Sequence, residues 1–324
     1  MRLYKLDRNR AFPGTATGVF LPQPAQLDAE APDETWCLIG DAGQALGGVS
    51  LWWQRSCLHQ GRRTGRFGHF SSAGRAVSVN LLRHALERLH AERCELAAGP
   101  INGSTWYKYR LVTDPGTGPE FPLDVHTPPE WCEDYRAAGL EELETYCSVS
   151  LEPPPAAETD AVERERRVTE KGILVRTIDM NAPVRDLSAI WSLSMECFSF
   201  NPFFTPIEEQ AFLDLYRPFL TLMDPEYVLL AEDEKGVCAF HFAFPYQTPD
   251  SRRNVVSKTM AVHPRVRGTG VGSYLLHRIL ARASSEGAHE IIMAFMHERN
   301  LSAAWARKHG RVIRRYAVFG KILP

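Results

Sequence analysis

The sequence predicts a mixed α/β (α+β) protein built as two similar halves. Three observations lead there. In the C-terminal half, strand-like and helix-like segments alternate around a run of adjacent strands that a pure βαβ repeat would not contain. The N-terminal half shows the same order of element types. Between them lies "LEPPPAAETDAVERERRVTEKG", residues 151–172. Its consecutive prolines favour extended backbone without internal hydrogen bonds, and the tract that follows has few apolar residues to bury. It reads as a joint with one solvated helical turn after the prolines. The expected domains are therefore 1–150, a linker at 151–172, and 173–324.

Taken in order, "ETWCLIGDAGQALGGVSLWWQR" reads as two strands around a turn. "GRRTGRFGHFSS" leads into a helix whose Leu81, Leu82, Ala85, Leu86 and Leu89 share one face. "CELAAGPIN" is strand-like. After the joint, "ILVRTIDM" is a strand, and Val184, Leu187, Ile190 and Trp191 mark a helix. "PIEEQAFLDLYRPFLTLM" is helical until Pro218 interrupts it. "EYVLLAED" and "GVCAFHFAFPY" are strands around a turn, and "NVVSKTMAVH" is another. A glycine-rich loop and its helix follow. "EIIMAFMHE" is a buried-type strand, "RNLSAAWARKHG" a short helix ending at Gly310, and "RVIRRYAVFGKIL" a final strand.

Length and composition narrow the class. At 324 residues the chain has room for two domains, each long enough to bury a core. Hydrophobic residues make up 44% and charged residues 23%, as in soluble globular proteins. A formal net charge of −2 argues against nucleic acid as a partner, because phosphate-backbone binding needs a basic excess or stripe. No apolar run approaches the roughly 20 residues that span a bilayer, so no membrane role is expected. The first residues, "MRLYKLDRNRAFPG", lack the apolar core of a signal peptide. The seven cysteines are scattered without a CxxC pair, which suits free thiols in a reducing cytosol and a cytoplasmic location. No metal is expected: HExxH is absent, and the histidines do not cluster with Cys or Asp at ligand spacing.

The two halves can be compared directly. With Leu81 and Leu82 laid on Leu275 and Leu276 without gaps, "LLRHALER" meets "LLHRILAR" and Val77 meets Val271. His69 meets His263, and Gly74 meets Gly268. The match points to an internal duplication. In this register Ala73, Ala76 and Ser78 stand where Arg267, Gly270 and Gly272 stand in the C-terminal half, so the N-terminal copy is degenerate.

The stretch "RVRGTGVGSYLLHRIL", residues 265–280, is the main chemical signal. The first turn of a helix has N–H groups without intrahelical partners, and its dipole favours negative charge. Gly268, Gly270 and Gly272 let a phosphate approach the backbone, and Arg267 adds a charged contact. A P-loop would need GxxxxGK, and Gly272 is followed by Ser273 with no lysine. A Rossmann fingerprint would need GxGxxG directly after a strand and an acid about 20 positions on, at the end of the next strand. Here the spacing is GxGxG, "HPRVR" intervenes, and Glu290 precedes the next strand. The diphosphate of coenzyme A is the third competing ligand.

"KTMAVHPRVRGTGVGSYLLHRIL" resembles the central motif of the GNAT superfamily of N-acetyltransferases. Arg267, Gly270 and Gly272 occupy its defining positions, and "HERNLSAAWARKHG" is similar to the family's asparagine-containing fourth helix. The resemblance covers residues 173–323, and the N-terminal half as a degenerate copy. It implies two GNAT-like lobes, each a mixed, mostly antiparallel twisted sheet flanked by helices. It implies an acetyl-CoA site made by Met260, Ala261, Val262, Arg267, Gly268, Thr269, Gly270, Val271, Gly272, Ser273 and Asn300. The implied reaction is transfer of an acetyl or other acyl group to a primary amine, directly in a ternary complex. Such an amine has a pKa near ~10.4 and must lose a proton before attack. The resulting oxyanion is held by strand amides, here those of Met260, Ala261 and Val262.

Many relatives protonate the leaving thiolate with a tyrosine on the asparagine-containing helix. That position holds Arg307 counted from Asn300, or Ala306 counted back from Gly310. The substitutes are Tyr316 in the last strand as acid, or a sheet tyrosine with a satisfied hydroxyl, and Glu298 or His297 as base, or a structural salt bridge. His241 alternates against the face of Phe240, Phe242 and Phe244 and reads as a core or surface histidine, while Cys197 and Cys238 have no paired histidine. In "GPINGSTWYKYR", Asn102, Ser104, Trp106, Tyr107 and Tyr109 read either as packing between lobes or as part of a substrate cleft. Phe198, Phe200, Phe203 and Phe204 are an apolar wall or a packed helix end. The alternatives in function are a non-catalytic acyl-CoA-binding or regulatory protein, and a tandem acyltransferase with a longer acyl chain or an aminoacyl-tRNA as donor. A homodimer through the last strands is a further expectation.

Overall fold

One mixed sheet of thirteen strands runs the length of the molecule in the computed structural model. It describes residues 1–7, 14–16, 18–118, 120–153, 161–221 and 223–324. The N-terminal elements are β1 (Arg2–Lys5), α1 (Pro24–Glu30), β2 (Glu34–Ile39), β3 (Ala45–His59), β4 (Arg62–Ser72), α2 (Arg75–Ala91), β5 (Leu96–Gly99), β6 (Leu111–Asp114), α3 (Glu130–Ala137) and β7 (Glu141–Leu151). The C-terminal elements are α4 (Ala161–Thr169), β8 (Leu174–Thr177), α5 (Pro183–Phe198), α6 (Glu209–Tyr216), β9 (Val228–Asp233), β10 (Gly236–Gln247), β11 (Arg253–Val262), α7 (Val271–Ser285), β12 (Glu290–His297), α8 (Leu301–His309) and β13 (Arg311–Ile322).

The strand order is β1-β2-β3-β4-β5-β13-β7-β12-β11-β10-β9-β8, with β6 also on β13. Among the described residues, only β4–β5 and β11–β12 pair in parallel. Each parallel pair is bridged by a helix with one apolar face. In α2 that face is Val77, Leu81, Leu82, Ala85, Leu86 and Leu89, and in α7 it is Val271, Leu275, Ile279, Leu280 and Ala283. The mixed, mostly antiparallel sheet flanked by helices is the architecture the sequence led us to expect.

The two cores exchange strands. From the N-terminal half, β7 lies between β12 and β13. Its Cys147, Val149 and Leu151 pack in the C-terminal core with Leu275 and Ile279. From the C-terminal half, β13 lies between β5 and β7, and its Ala317 and Phe319 pack with Phe67 and Leu81. The joint therefore divides the chain but not the cores, and each half cut at that joint lacks a strand of its own core. A fragment of residues 1–152 would leave β5 and β7 unpaired where β13 belongs. It is expected to aggregate or stay unfolded, and co-expression with residues 153–324 is expected to restore a monodisperse complex in size-exclusion chromatography. A monomeric fragment with cooperative unfolding would contradict the exchange.

Three expectations change here. The single solvated turn expected after the prolines is the nine-residue helix α4, whose Val168 is buried in the C-terminal core; residues 154–160 of the joint, with two of its prolines, lie outside the described residues. The ungapped match of His69 with His263 does not survive. His69 lies inside β4, which ends only two residues before the N-cap of α2, while His263 follows β11 and precedes a loop that runs to Gly270. Between β4 and α2 the N-terminal half thus leaves no room for a glycine loop, rather than carrying one with substituted glycines. The last strand, expected to pair between subunits, is internal to the sheet, whose edges are β1 and β8. No helix among the described residues is long and apolar enough to cross a membrane.

Candidate active site

Two neighbouring strands part in the C-terminal half. The parallel pairing of β11 with β12 runs only from Asn254–Glu290 to Ser257–Met293. At that point Ser257 faces Ala243 and Thr259 faces Phe242, so Lys258 is an extra residue, a β-bulge. The partner strand has its own irregularity between Met293 and Met296, with Phe295 at φ 57°. Bulges bend a strand and end its ladder. Here one on each strand separates Thr259, Met260, Ala261 and Val262 from the end of β12. Among these, Ala261 packs on the α5/α6 side and Val262 on the α7 side.

The glycine loop stands at the end of this gap. Gly268 and Gly270 have φ of 79° and 90°, the left-handed region, and a Cβ at either would meet nothing within 4 Å. Their backbone requires glycine, and the space above them is open. Gly272 differs: its Cβ would lie 3.1 Å from Val262 Cγ2, so the helix leans closely on the strand. Thr269 braces the loop, its Oγ1 donating to the Val266 carbonyl at 2.7 Å and accepting from Val271 N–H at 3.3 Å. The N-cap Gly270 offers no side chain to the first turn of α7, so the amides of Gly272 and Ser273 point outward without a helical acceptor. Arg267 is exposed beside them.

Two further cations reach this mouth from the joint. Arg164 of α4 donates to Ser273 Oγ at 3.2 Å, and Lys171 Nζ donates to the Thr269 carbonyl at 3.3 Å. Neither was visible as a site residue in the sequence, because the charged tract read as solvated. Arg265 is not part of the mouth: its guanidinium is held by Asp233 at 2.8 Å. Helix-end amides, left-handed glycines and three basic side chains form a donor set that fits a diphosphate. Asn300 is the exposed N-cap of α8, its N–H donating to the His297 carbonyl at 2.9 Å.

The residues expected to move protons are engaged elsewhere. Tyr316 has no exposed surface. Its hydroxyl donates to Asp124 Oδ1 at 2.8 Å and lies 3.0 Å from Ser148 Oγ, and Asp124 also pairs with Arg314. Burial raises the Tyr316 pKa. It is a sheet tyrosine with a satisfied hydroxyl. Glu298 forms an ion pair with Arg315 and accepts from Thr145 Oγ1 at 3.2 Å, which is the salt-bridge alternative. His297 accepts from Arg299 N–H at Nδ1 and contacts Glu144 at 2.7 Å through Nε2, so both ring nitrogens are used. His241 is a core histidine, hydrogen-bonded to Ser257 at 2.8 Å, with burial lowering its pKa to about 4. Burial raises both Cys197 and Cys238, the latter to about 11, which removes them as nucleophiles.

What does face the gap is Lys258. It is half-buried, and its Nζ sits 4.7 Å from the Phe295 ring centroid. Burial, and then the charge of nearby Arg110, lowers its pKa to about 8. Beside it, Trp106, Ile190, Phe198, Phe212, Phe242 and Thr259 line an apolar pocket on the α5/α6 side. Trp106 is anchored there by Nε1 donating to the Thr205 carbonyl at 3.0 Å. Of the phenylalanine group, Phe198 lines this pocket and Phe204 meets Trp106 edge-on. Phe203 stacks on His59, and Phe200 is 90% exposed.

The corresponding gap in the N-terminal half is filled. Pairing of β4 with β5 ends at Arg66–Ala98, and β4 carries its own bulge near His69. Into that gap the chain itself turns. Ile101 N–H donates to the Phe67 carbonyl at 2.8 Å, and the His69 amide donates to Asn102 Oδ1 at 2.8 Å. The approach is so close that a Cβ on Gly68 would lie 2.5 Å from the Ile101 carbonyl oxygen. The same loop then carries Trp106, Tyr109 and Arg110 toward the C-terminal site.

Comparison with known proteins agrees with this geometry. Residues 187–310 match the acetyltransferase (GNAT) family. No curated protein matches the chain significantly in sequence. Among solved structures, a tandem GNAT protein from the clavulanic acid biosynthesis pathway aligns over 100% of this chain and 98% of that one, at 12% identity and TM-score 0.51. A GCN5-related N-acetyltransferase from Sphaerobacter thermophilus aligns over 93% and 86%, at 16% identity and TM-score 0.51. The GCN5-related glucosamine N-acetyltransferase region of a fungal multi-domain GH3 β-N-acetylglucosaminidase aligns over 92% of this chain at 12% identity and TM-score 0.53, and the chain spans 34% of that enzyme. These likenesses concern the fold.

Proposed function

We propose, from the premise that residues 187–310 form a GNAT-family acetyltransferase domain, that the protein moves an acetyl group from acetyl-CoA to a primary amine of a small-molecule or peptide acceptor, directly in a ternary complex. The observation that carries this reading is the contrast between the two halves. In the C-terminal half the pairing ends and a glycine mouth with open space above it follows, while the N-terminal gap is closed by its own chain.

Bound acetyl-CoA supplies the electrophilic thioester: the acceptor nitrogen bonds to its carbonyl carbon, the C–S bond breaks, and the coenzyme A thiolate leaves, taking a proton from protonated Lys258 or from water. The amides of Gly272 and Ser273, with Arg267, Arg164 and Lys171, hold its diphosphate. The freed edge of β11 at Met260 and Val262 offers backbone donors in the gap, since the amide of Ala261 between them turns toward Phe240 of β10. Lys258 accepts the proton of the acceptor amine. A lysine with a pKa near 8 is a competent base at neutral to mildly alkaline pH, because its proton affinity is matched to the medium. Neither Tyr316 nor Glu298 takes a role in this scheme.

The test is release of free thiol from acetyl-CoA in the presence of an amine library. Turnover with at least one amine class is expected. The second reading, a non-catalytic acyl-CoA-binding protein, is favoured by one observation: α8 offers buried Ala306 and Arg307 where relatives place a tyrosine. Tight acetyl-CoA binding with no turnover on any amine would establish that reading instead.

A further inference from the structure

Arg110 is an arginine in an unusual setting. It is 6% exposed, and its φ of 77° is a left-handed conformation that strains a long side chain. Its N–H donates to the Pro100 carbonyl at 2.9 Å, which ties it to the loop that fills the N-terminal gap. Its guanidinium carbon lies 3.8, 4.3 and 4.8 Å from the ring centroids of Tyr109, Tyr146 and Phe295. Nη2 donates to the Tyr109 hydroxyl, but Nε and Nη1 are buried with no partner. Lys258 Nζ faces the same Phe295 ring, so two cations share one aromatic surface.

No carboxylate among the described residues neutralises either cation. The acids of the surrounding strands and loop are committed: Glu144 to His297 and His59, Asp124 to Tyr316 and Arg314, Glu298 to Arg315. Burying a cation without a counter-ion is costly, and a second cation beside it adds repulsion. The aromatic rings offset part of this cost, yet leave two guanidinium donors open. An anion entering the site would supply both the missing acceptor and the missing counter-charge.

We propose that Arg110 is the receptor for a carboxylate carried by the amine acceptor, so that the acceptor is an amino acid or a similar carboxylate-bearing amine. This rests on the acyltransferase reading. The position separates the anion from the coenzyme's phosphates. Tyr109, Tyr146 and Phe295 belong to a cluster apart from the core against α7, while the diphosphate mouth is the N-terminus of α7 itself. A carboxylate at Arg110 would also leave the acceptor's amine close to Lys258. Burial lowers the Arg110 pKa to about 10, and a bound carboxylate relieves the repulsion that this group exerts on Lys258.

The test uses the full chain and N-acetyl-L-amino acids as probes, each against its own carboxamide, by isothermal titration calorimetry. At least one acid is expected to bind roughly tenfold or more tightly than its amide, as a charge-assisted contact requires. Arg110→Met is expected to erase that preference, leave acetyl-CoA affinity unchanged and raise the melting temperature of the free protein. Equal binding of acids and amides, no binding of any acid, or a preference that survives R110M overturns the proposal. If R110M does not fold, the wild-type comparison decides, together with K258M, which is expected to reduce the preference. A carboxamide acceptor consumed faster with succinyl-CoA than with acetyl-CoA would place the carboxylate on the acyl donor and also overturn it. Free-thiol release from acetyl-CoA with the amine library tests the acyltransferase reading separately, since the acid–amide comparison needs no coenzyme.

Discussion

Gly270→Asp is expected to weaken acetyl-CoA binding about a hundredfold while lowering the melting temperature by only a few degrees. Gly270 is the N-cap of α7 at φ 90°, with nothing within 4 Å of where its Cβ would be. Aspartate is among the few residues that accept left-handed backbone, and it is a favoured N-cap that complements the helix dipole. The fold therefore tolerates the substitution at a modest cost in backbone strain. The ligand does not, because the new carboxylate satisfies the amides meant for phosphate and repels a diphosphate. Losing two charge-assisted hydrogen bonds at about 1.5 kcal/mol each gives roughly 3 kcal/mol, or about a hundredfold. Calorimetric titration with acetyl-CoA beside a thermal melt reads both quantities. Unchanged affinity in a folded variant would remove the diphosphate from this loop.

Lys258→Met is expected to lower kcat by a factor of roughly 10² to 10⁴, the usual contribution of a positioned general base, with acetyl-CoA affinity unchanged. The pH profile identifies the cause. Only neutral Lys258 accepts a proton, so the wild-type rate should fall about tenfold per unit below pH 8 and level off above it. In the variant that limb should vanish, leaving the deprotonation of the acceptor amine near ~10.4. Stability carries the opposite sign from an ordinary salt bridge. The folded pKa of Lys258 is depressed, so its charged form is disfavoured by folding at neutral pH, and stability rises as the pH passes from about 8 toward the unfolded value. K258M should be the more stable protein at pH 7 and lose that rise. A limb near pH 8 that persists in K258M with undiminished rate would assign the base elsewhere.

The glycine loop at the helix mouth was legible because its causes are local. Left-handed φ at Gly268 and Gly270, and unsatisfied amides at a helix start, are properties of a few consecutive residues. The apolar faces of α2 and α7 were equally plain, because helical period is written in sequence spacing. Tyr316 shows the limit. Its place in a strand was readable, but the Asp124 and Ser148 that occupy its hydroxyl come from other segments of the chain. Arg164 and Lys171 were hidden by their own charge, since a polar tract looks the same whether it meets water or a ligand.

The sequence by itself determined the kinds of element, the doubled order of the halves and the glycine-rich helix mouth proposed to hold the diphosphate, all governed by backbone conformation and short-range period. Only the tertiary structure decided that β7 and β13 trade places, that Lys258 sits on a bulge where two strands part, and that Arg110 arrives beside it from the other half. Alternation along a strand says that one face is buried. It does not say against which core, because strand pairing is a contact between distant segments whose register is settled only when the whole sheet assembles.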